Sequence, residues 1–336
     1  MVTSTSLFIA TGDGVFRAEC DGSRKEPHFL GLTGKGSVRW ILADWSDPER
    51  VWAATERDGV WRTDDGGRSW AEKNDGLVYK HALSLAQHPT TGHLYVGTEP
   101  ACIFKSIDNG ETWMELESLR RLPTRKEWTF PGPPYVAHVR GIGLCASDPD
   151  IIFGAVEEGW LVRSTDGGES WTNIKEGAEF DSHTVTIMPD DPKVIISASG
   201  KGLFRSTNGG ESFADANAGI THPYLINVAV HPDRPSVLFT AGAEASPPHW
   251  GRPGGVGAGF YRSDDQGSSW KRLNGGLPER IGPAPRSIAL DPHAPDSVFI
   301  GLNDGEVWAS RDGGEGFARI AADLPPVLGI APVSIA

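Results

Sequence analysis

Two sets of polar residues recur at fixed distances from proline corners in this 336-residue chain. Six apolar runs end in Asp/His-Pro corners, at 40–48, 83–89, 142–149, 185–192, 228–235 and 287–295. Five residues before each corner stand Arg39, Leu83, Arg140, His183, Ile226 and Arg286, with Val333 in a last run at the C-terminus. Seven before stand Ser37, His81, His138, Asp181, Tyr224 and Ala284. Residues two apart on a strand share a face, so both sets are expected to point the same way. Glu56, Glu99 and Glu157 add carboxylates at equivalent positions of three successive repeats.

These residue types suit acid–base work on an anion. Arginine grips a carboxylate or phosphate through two parallel hydrogen bonds, which assigns Arg39, Arg140 and Arg286, with Asp181, to substrate binding. His81, His138, His183, Tyr224 and the three glutamates are the candidate catalytic groups, because histidine and glutamate with perturbed pKa values move protons. Two carboxylates at a suitable gap would favour glycoside hydrolysis, and a histidine–tyrosine pair would favour elimination. His81, His138 and His183 with a carboxylate would also suit zinc or another divalent transition metal in the channel. No other cofactor is implied. Arg–Glu pairing between repeats is the competing explanation, since buried charges are costly unless they pair or bind something.

The elements that must position these groups are set by an octet, Ser164-Thr165-Asp166-Gly167-Gly168-Glu169-Ser170-Trp171. It returns at 63–70, 106–113, 206–213, 263–270 and 310–317, with Asn208 replacing the aspartate in one copy. The Asp-x-Gly centre is turn chemistry, and the closing aromatic is an anchor to bury against a neighbouring repeat. The carboxylates a calcium loop needs are missing. Two strand-length apolar runs precede each octet, a third lies upstream, and a fourth strand follows. Each repeat is therefore four short antiparallel strands. The N-terminus starts mid-repeat with 7–10 and 14–17, followed by a worn octet, and 332–336 matches an inner first strand. The two ends together complete a seventh unit. The expected fold is all-β: a seven-bladed β-propeller of four-stranded antiparallel blades in one domain spanning 1–336, closed by pairing the C-terminal strand into the N-terminal blade.

The octets resemble those of the BNR or Asp-box repeat family. That family includes sialidases, two-propeller xyloglucanases, sortilin-type receptors and a seven-bladed photosystem II assembly factor. The resemblance implies a propeller and leaves function open, because one fold hosts many chemistries. The Arg-Ile-Pro motif of sialidases is absent from the sequence. The xyloglucanase cleft needs a second propeller, and these repeats supply one.

Two insertions are expected to rise over the inner-strand starts as lids. Residues 115–137 carry Arg120, Arg121, Arg125, Lys126, Trp128, Phe130 and Tyr135, and residues 243–258 carry His249-Trp250-Gly251-Arg252. Trp128, His249 and Trp250 are the candidate ligand contacts, since aromatics with arginines suit a sugar or another planar anion. A net charge of −13 speaks against nucleic acid or an anionic membrane as the main partner. Cys20, Cys102 and Cys145 form no CxxC pair, and no apolar run reaches membrane-spanning length, so the cytoplasm is the expected compartment. No Ser-His-Asp elbow, P-loop or dinucleotide fingerprint occurs in a fitting context. The leading expectation is an enzyme, hydrolase or lyase, acting on a small anionic molecule or carbohydrate. The alternative is a non-catalytic propeller that binds a protein partner.

Overall fold

The computed structural model describes residues 4–20 and 26–335. Seven four-stranded antiparallel sheets form a ring, and helix is confined to three short 3-10 turns among the described residues. The sheet that closes the ring runs Val327–Ile335, Ser4–Thr11, Gly14–Glu19 and His28–Gly31. The C-terminal strand is thus the inner strand of the N-terminal blade, as expected, with Phe8 opposite Ala331. The worn octet falls partly on 21–25, outside the described residues.

The core is a set of seams rather than one cluster. Each apolar cluster joins two neighbouring blades, such as Trp52, Ala54 and Val60 with Val96 and Phe104. The closing aromatic of each octet fills the seam with the preceding blade: Trp70, Trp113, Trp171, Phe213, Trp270 and Phe317 all sit in such clusters. The octet itself is a repeated hydrogen-bonded turn. Ser164 Oγ donates to Asp166 Oδ1 at 2.7 Å and accepts from Gly168 N at 2.8 Å, while Asp166 accepts from Ser170 N and Ser170 Oγ. Gly168 has φ of +97°, and an added Cβ would lie 2.7 Å from Leu116 in the neighbouring blade, so glycine is required.

Inner strands are latched to one another. Ser84 Oγ donates to Val139 O at 3.0 Å, His183 Nδ1 to Leu225 O at 2.6 Å, and Asn227 Nδ2 to Ile288 O at 3.0 Å. Ser287 Oγ accepts from Ile330 N at 3.1 Å. Each bond ties one blade to the next where the sheets meet the axis.

Candidate functional site

Every inner strand carries a β-bulge near its start. Pairing skips a residue between Val38 and Trp40, Ala82 and Ser84, Val139 and Gly141, Ser182 and Thr184, Leu225 and Val228, and Pro285 and Ser287. The extra residues are Arg39, Leu83, Arg140, His183, one of Ile226 and Asn227, and Arg286. A bulge re-aims the side chain it releases from the ladder, so the corner-counted ring coincides with a structural one. The seventh member corrects the sequence expectation. In the closing strand Thr11 faces Val327 and Ala10 faces Gly329, so the skipped residue is Leu328 and not Val333. That strand begins five residues before Pro332 and has no proline corner after it to count from.

The ring stands at one end of an axial channel of about 820 Å³. Arg39, Leu83, Arg140, Ile226, Arg286 and Leu328 line it, with His138. Around the axis, cationic and aliphatic side chains alternate except where His183 intervenes. The walls continue past Ile41, Ile288 and Ile330 to Asp44 and Trp45 at the octet end.

One side of the mouth is a chain of paired charges running across two blades. His81 Nδ1 lies 3.1 Å from Glu99 Oε1. The second Glu99 oxygen lies 3.3 Å from His138 Nδ1, close enough for an ion pair but without hydrogen-bond alignment. His138 Nε2 donates to Glu157 Oε2 at 2.9 Å, and Arg140 Nη1 donates to Glu157 Oε1 at 2.8 Å. Burial opposes the charge on His138, but Glu157 and Glu99 outweigh it and raise its pKa. Burial likewise opposes the charge on Glu157, yet Arg140 and His138 hold its pKa well below the usual range. At Glu99 burial is again outweighed, by His138 and His81, and the pKa falls. His81 moves the other way: burial lowers its pKa despite Glu99. Two histidines sharing one carboxylate are thus driven apart, one toward the acid and one toward the free base.

The other side of the mouth is unpaired. Arg39 and Arg286 have no hydrogen bond or ion pair to any described residue. Arg286 is covered by Trp250, whose ring centre lies 5.0 Å from the guanidinium carbon. Burial, then the charges of Arg39 and Arg140, push the Arg286 pKa down to about 9. Burial, then Arg140, lowers that of Arg39, with Glu56, Glu157 and Glu99 opposing. Three like charges converge here, and Glu157 neutralises one of them.

The remaining candidates are placed differently from one another. Tyr224 is buried between His183 and Trp250, with ring centres 4.8 and 5.8 Å away, and burial raises its pKa. Trp250 is anchored by Nε1 to Ala245 O at 2.8 Å and packs with Tyr224, Ala243, Val256 and Ala284, which sets its ring over Arg286. Glu56 accepts from Ser37 N at 3.4 Å and acts on Arg39 through its charge only. His183 is fully buried and latched, with Nε2 3.1 Å from Asp181 Oδ1. Both of its nitrogens are engaged within the wall. Trp128 lies away from the channel: its Nε1 donates to Asn173 Oδ1 at 3.3 Å and its ring packs on Gly159. Residues 115–137 form a strap over a blade seam, with Leu116 and Leu119 buried, and only Phe130 reaches the network, 4.9 Å from the His138 ring. His249 does not line the channel.

The expected three-histidine metal set does not form. His138 is enclosed by two carboxylates, and His183 spends both nitrogens elsewhere. Among the described residues, the group with ligand atoms close enough to share an ion is Glu157, Asp181 and His183. There Glu157 is already taken by Arg140 and His138, whose positive charges oppose a cation.

Sequence reasoning missed Glu244, which follows its strand as Glu56 does, at the place where Glu99 and Glu157 end theirs. A buried histidine attends it too: His222 Nε2 lies 3.9 Å from Glu244 Oε1, beside a cavity of about 290 Å³ off the axis. The repeat position was the available signal. The insertion that begins beside Glu244 hid it.

No family model matches the chain. It is 23% identical over 274 residues to a photosystem II assembly lipoprotein from Synechococcus sp., covering 81% of this chain and 72% of that protein. A xyloglucanase from Xanthomonas campestris superposes with a TM-score of 0.65 at 15% identity, covering 86% of this chain and 46% of that one. The chain therefore spans less than half of that enzyme. The structure described as YCF48 bound to D1 peptide superposes with a TM-score of 0.52 at 17% identity, covering 83% and 80%. The chain is a seven-bladed β-propeller, similar in sequence to a photosystem II assembly factor and in fold to xyloglucanases, both among the propellers its octets resemble.

Proposed function

We propose that the channel mouth binds a small carboxylated ligand between Arg39 and Arg286, and that His81 takes a proton from it. The observation that carries this reading is the pair of channel-lining arginines without a carboxylate partner, set beside a third arginine that has one. Unpaired charge in a half-buried site is costly unless a ligand neutralises it. A carboxylate matches the planar guanidinium fork.

His81 suits the role of base. It is partly exposed and held by Glu99, and its lowered pKa keeps it neutral near pH 7. Glu99 and Glu157 are both engaged by histidine, and Glu157 also by Arg140, so neither is free to act as the nucleophile or acid of a glycosidase. Proton abstraction beside the bound carboxylate, leading to elimination or exchange, fits the arrangement better than hydrolysis. Isothermal titration with simple carboxylates is the test. Saturable one-to-one binding that is lost in Arg39→Gln/Arg286→Gln supports the reading, and binding that ignores both arginines contradicts it.

The similarity to an assembly lipoprotein favours a second reading, in which the same arginines hold a carboxylate of a protein partner and no turnover occurs. Solvent deuterium entering the bound acid, and failing to enter with His81→Gln, would decide for the enzyme.

A further inference from the structure

The channel below the arginine ring is apolar, and this bears on what the carboxylate is attached to. Ile41, Leu42, Ile226, Ile288, Ile330 and Leu328 line it. Three polar residues on the same wall have their polar atoms engaged or buried. Asn227 Nδ2 is spent on Ile288 O, Ser287 Oγ accepts from Ile330 N, and Thr184 Oγ1 and Asn227 Oδ1 are shielded. Polar side chains return to the wall at the far end, at Asp44, Ser46 and His293, beside the exposed Trp45.

Resting on the carboxylate reading above, we propose that the ligand is an amphipathic acid, with its carboxylate on Arg39 and Arg286 and an unbranched alkyl or aryl tail running down the axis. Five strand residues separate Arg39 from Asp44, about 17 Å, so the 820 Å³ channel has a mean cross-section of roughly 50 Å². That is wider than one extended alkyl chain and admits a hydrocarbon chain or an aromatic ring. Water in such a lumen finds few hydrogen-bond partners, so an apolar tail that expels it gains affinity. A sugar acid would bring several hydroxyls to a wall that is mostly apolar, which costs affinity. Apolar walls with a few converging polar groups are the usual make-up of a small-molecule site.

The test is a titration series of butanoate, hexanoate and octanoate against glucuronate, on the full chain. Each added methylene is expected to tighten binding about fourfold, with glucuronate weaker than hexanoate. Ile330→Asn, a change in the channel wall, is expected to flatten the series, so that hexanoate and octanoate lose their gain over butanoate. Glucuronate and butanoate binding equally, in an arginine-dependent manner and without benefit from longer tails, would overturn the amphipathic ligand and leave the anion site standing. No carboxylate binding at all would overturn both.

Discussion

The guanidinium of Arg286 lies 5.0 Å from the centre of the Trp250 ring, and no described carboxylate pairs with it. Arg140, at the same repeat position three blades earlier, donates to Glu157 at 2.8 Å. Two arginines placed alike by a bulge therefore have opposite electrostatic situations.

The first prediction separates them. Arg286→Met is expected to leave the melting temperature unchanged or higher, because it removes an uncompensated charge under an aromatic cover. Arg140→Met is expected to destabilise by about 3 kcal/mol, because it strands Glu157 inside the wall. Thermal and denaturant unfolding check both. Equal losses would mean that Arg286 has a structural partner.

The paired chain sets a pH window. His138 has a raised folded pKa, so its contribution is complete below the ordinary histidine value of 6.5 and is lost as pH rises through the folded value. Glu157 has a depressed one, so its contribution is complete above 4.5 and is lost as pH falls through the folded value. The His138–Glu157 pair should stabilise most between those two values, while His81, with its lowered pKa, works against it as pH falls below 6.5. Melting temperature against pH should decline on both sides, and His138→Gln should flatten the alkaline side. An unchanged alkaline slope would show that His138 is not charged in the fold.

The octet aspartates act lower on the scale. Hydrogen bonds from Ser170, then Ser164, hold the Asp166 pKa at about 2, and its contribution is present above the ordinary carboxylate value and lost as pH falls toward 2. Asp166→Ala should lower the melting temperature at neutral pH. Asp166→Asn should cost less, because Asn208 keeps the bonds to Ser206 and Ser212 in its own copy. Equal effects would show that charge, not turn geometry, holds the octet.

Gly97 tests the inter-blade latch. A Cβ there would sit 2.4 Å from Ser84 Oγ and 2.6 Å from Val139 O. Gly97→Ala should therefore destabilise by about 1–3 kcal/mol through overpacking, read by denaturant unfolding. A neutral result would mean that the seam can open without cost.

Much of this architecture was legible in the chain because repetition makes alignment possible without a second sequence. The octets gave the blade count, and their closing aromatics marked side chains that bury against a neighbouring repeat. Counting back from the proline corners found Arg39, Arg140 and Arg286, since each corner ends a strand of nearly constant length. The count slipped by five residues at Val333 because the closing strand has no corner, and Leu328 holds that place instead. Pairing was not legible. Nothing in the spacing of His183 shows that it reaches Leu225 O rather than the lumen, because that depends on the distance between blades. Trp128 misled for the same reason: a loop's composition does not say which neighbour it folds onto.

The most direct test of the account is a crystal structure of the full chain grown with saturating octanoate. The carboxylate is expected between the guanidinium groups of Arg39 and Arg286, with the tail in the axial channel and the Arg140–Glu157 pair intact. A structure in which Arg39 and Arg286 turn to protein carboxylates, or in which the acid lies elsewhere, would contradict it.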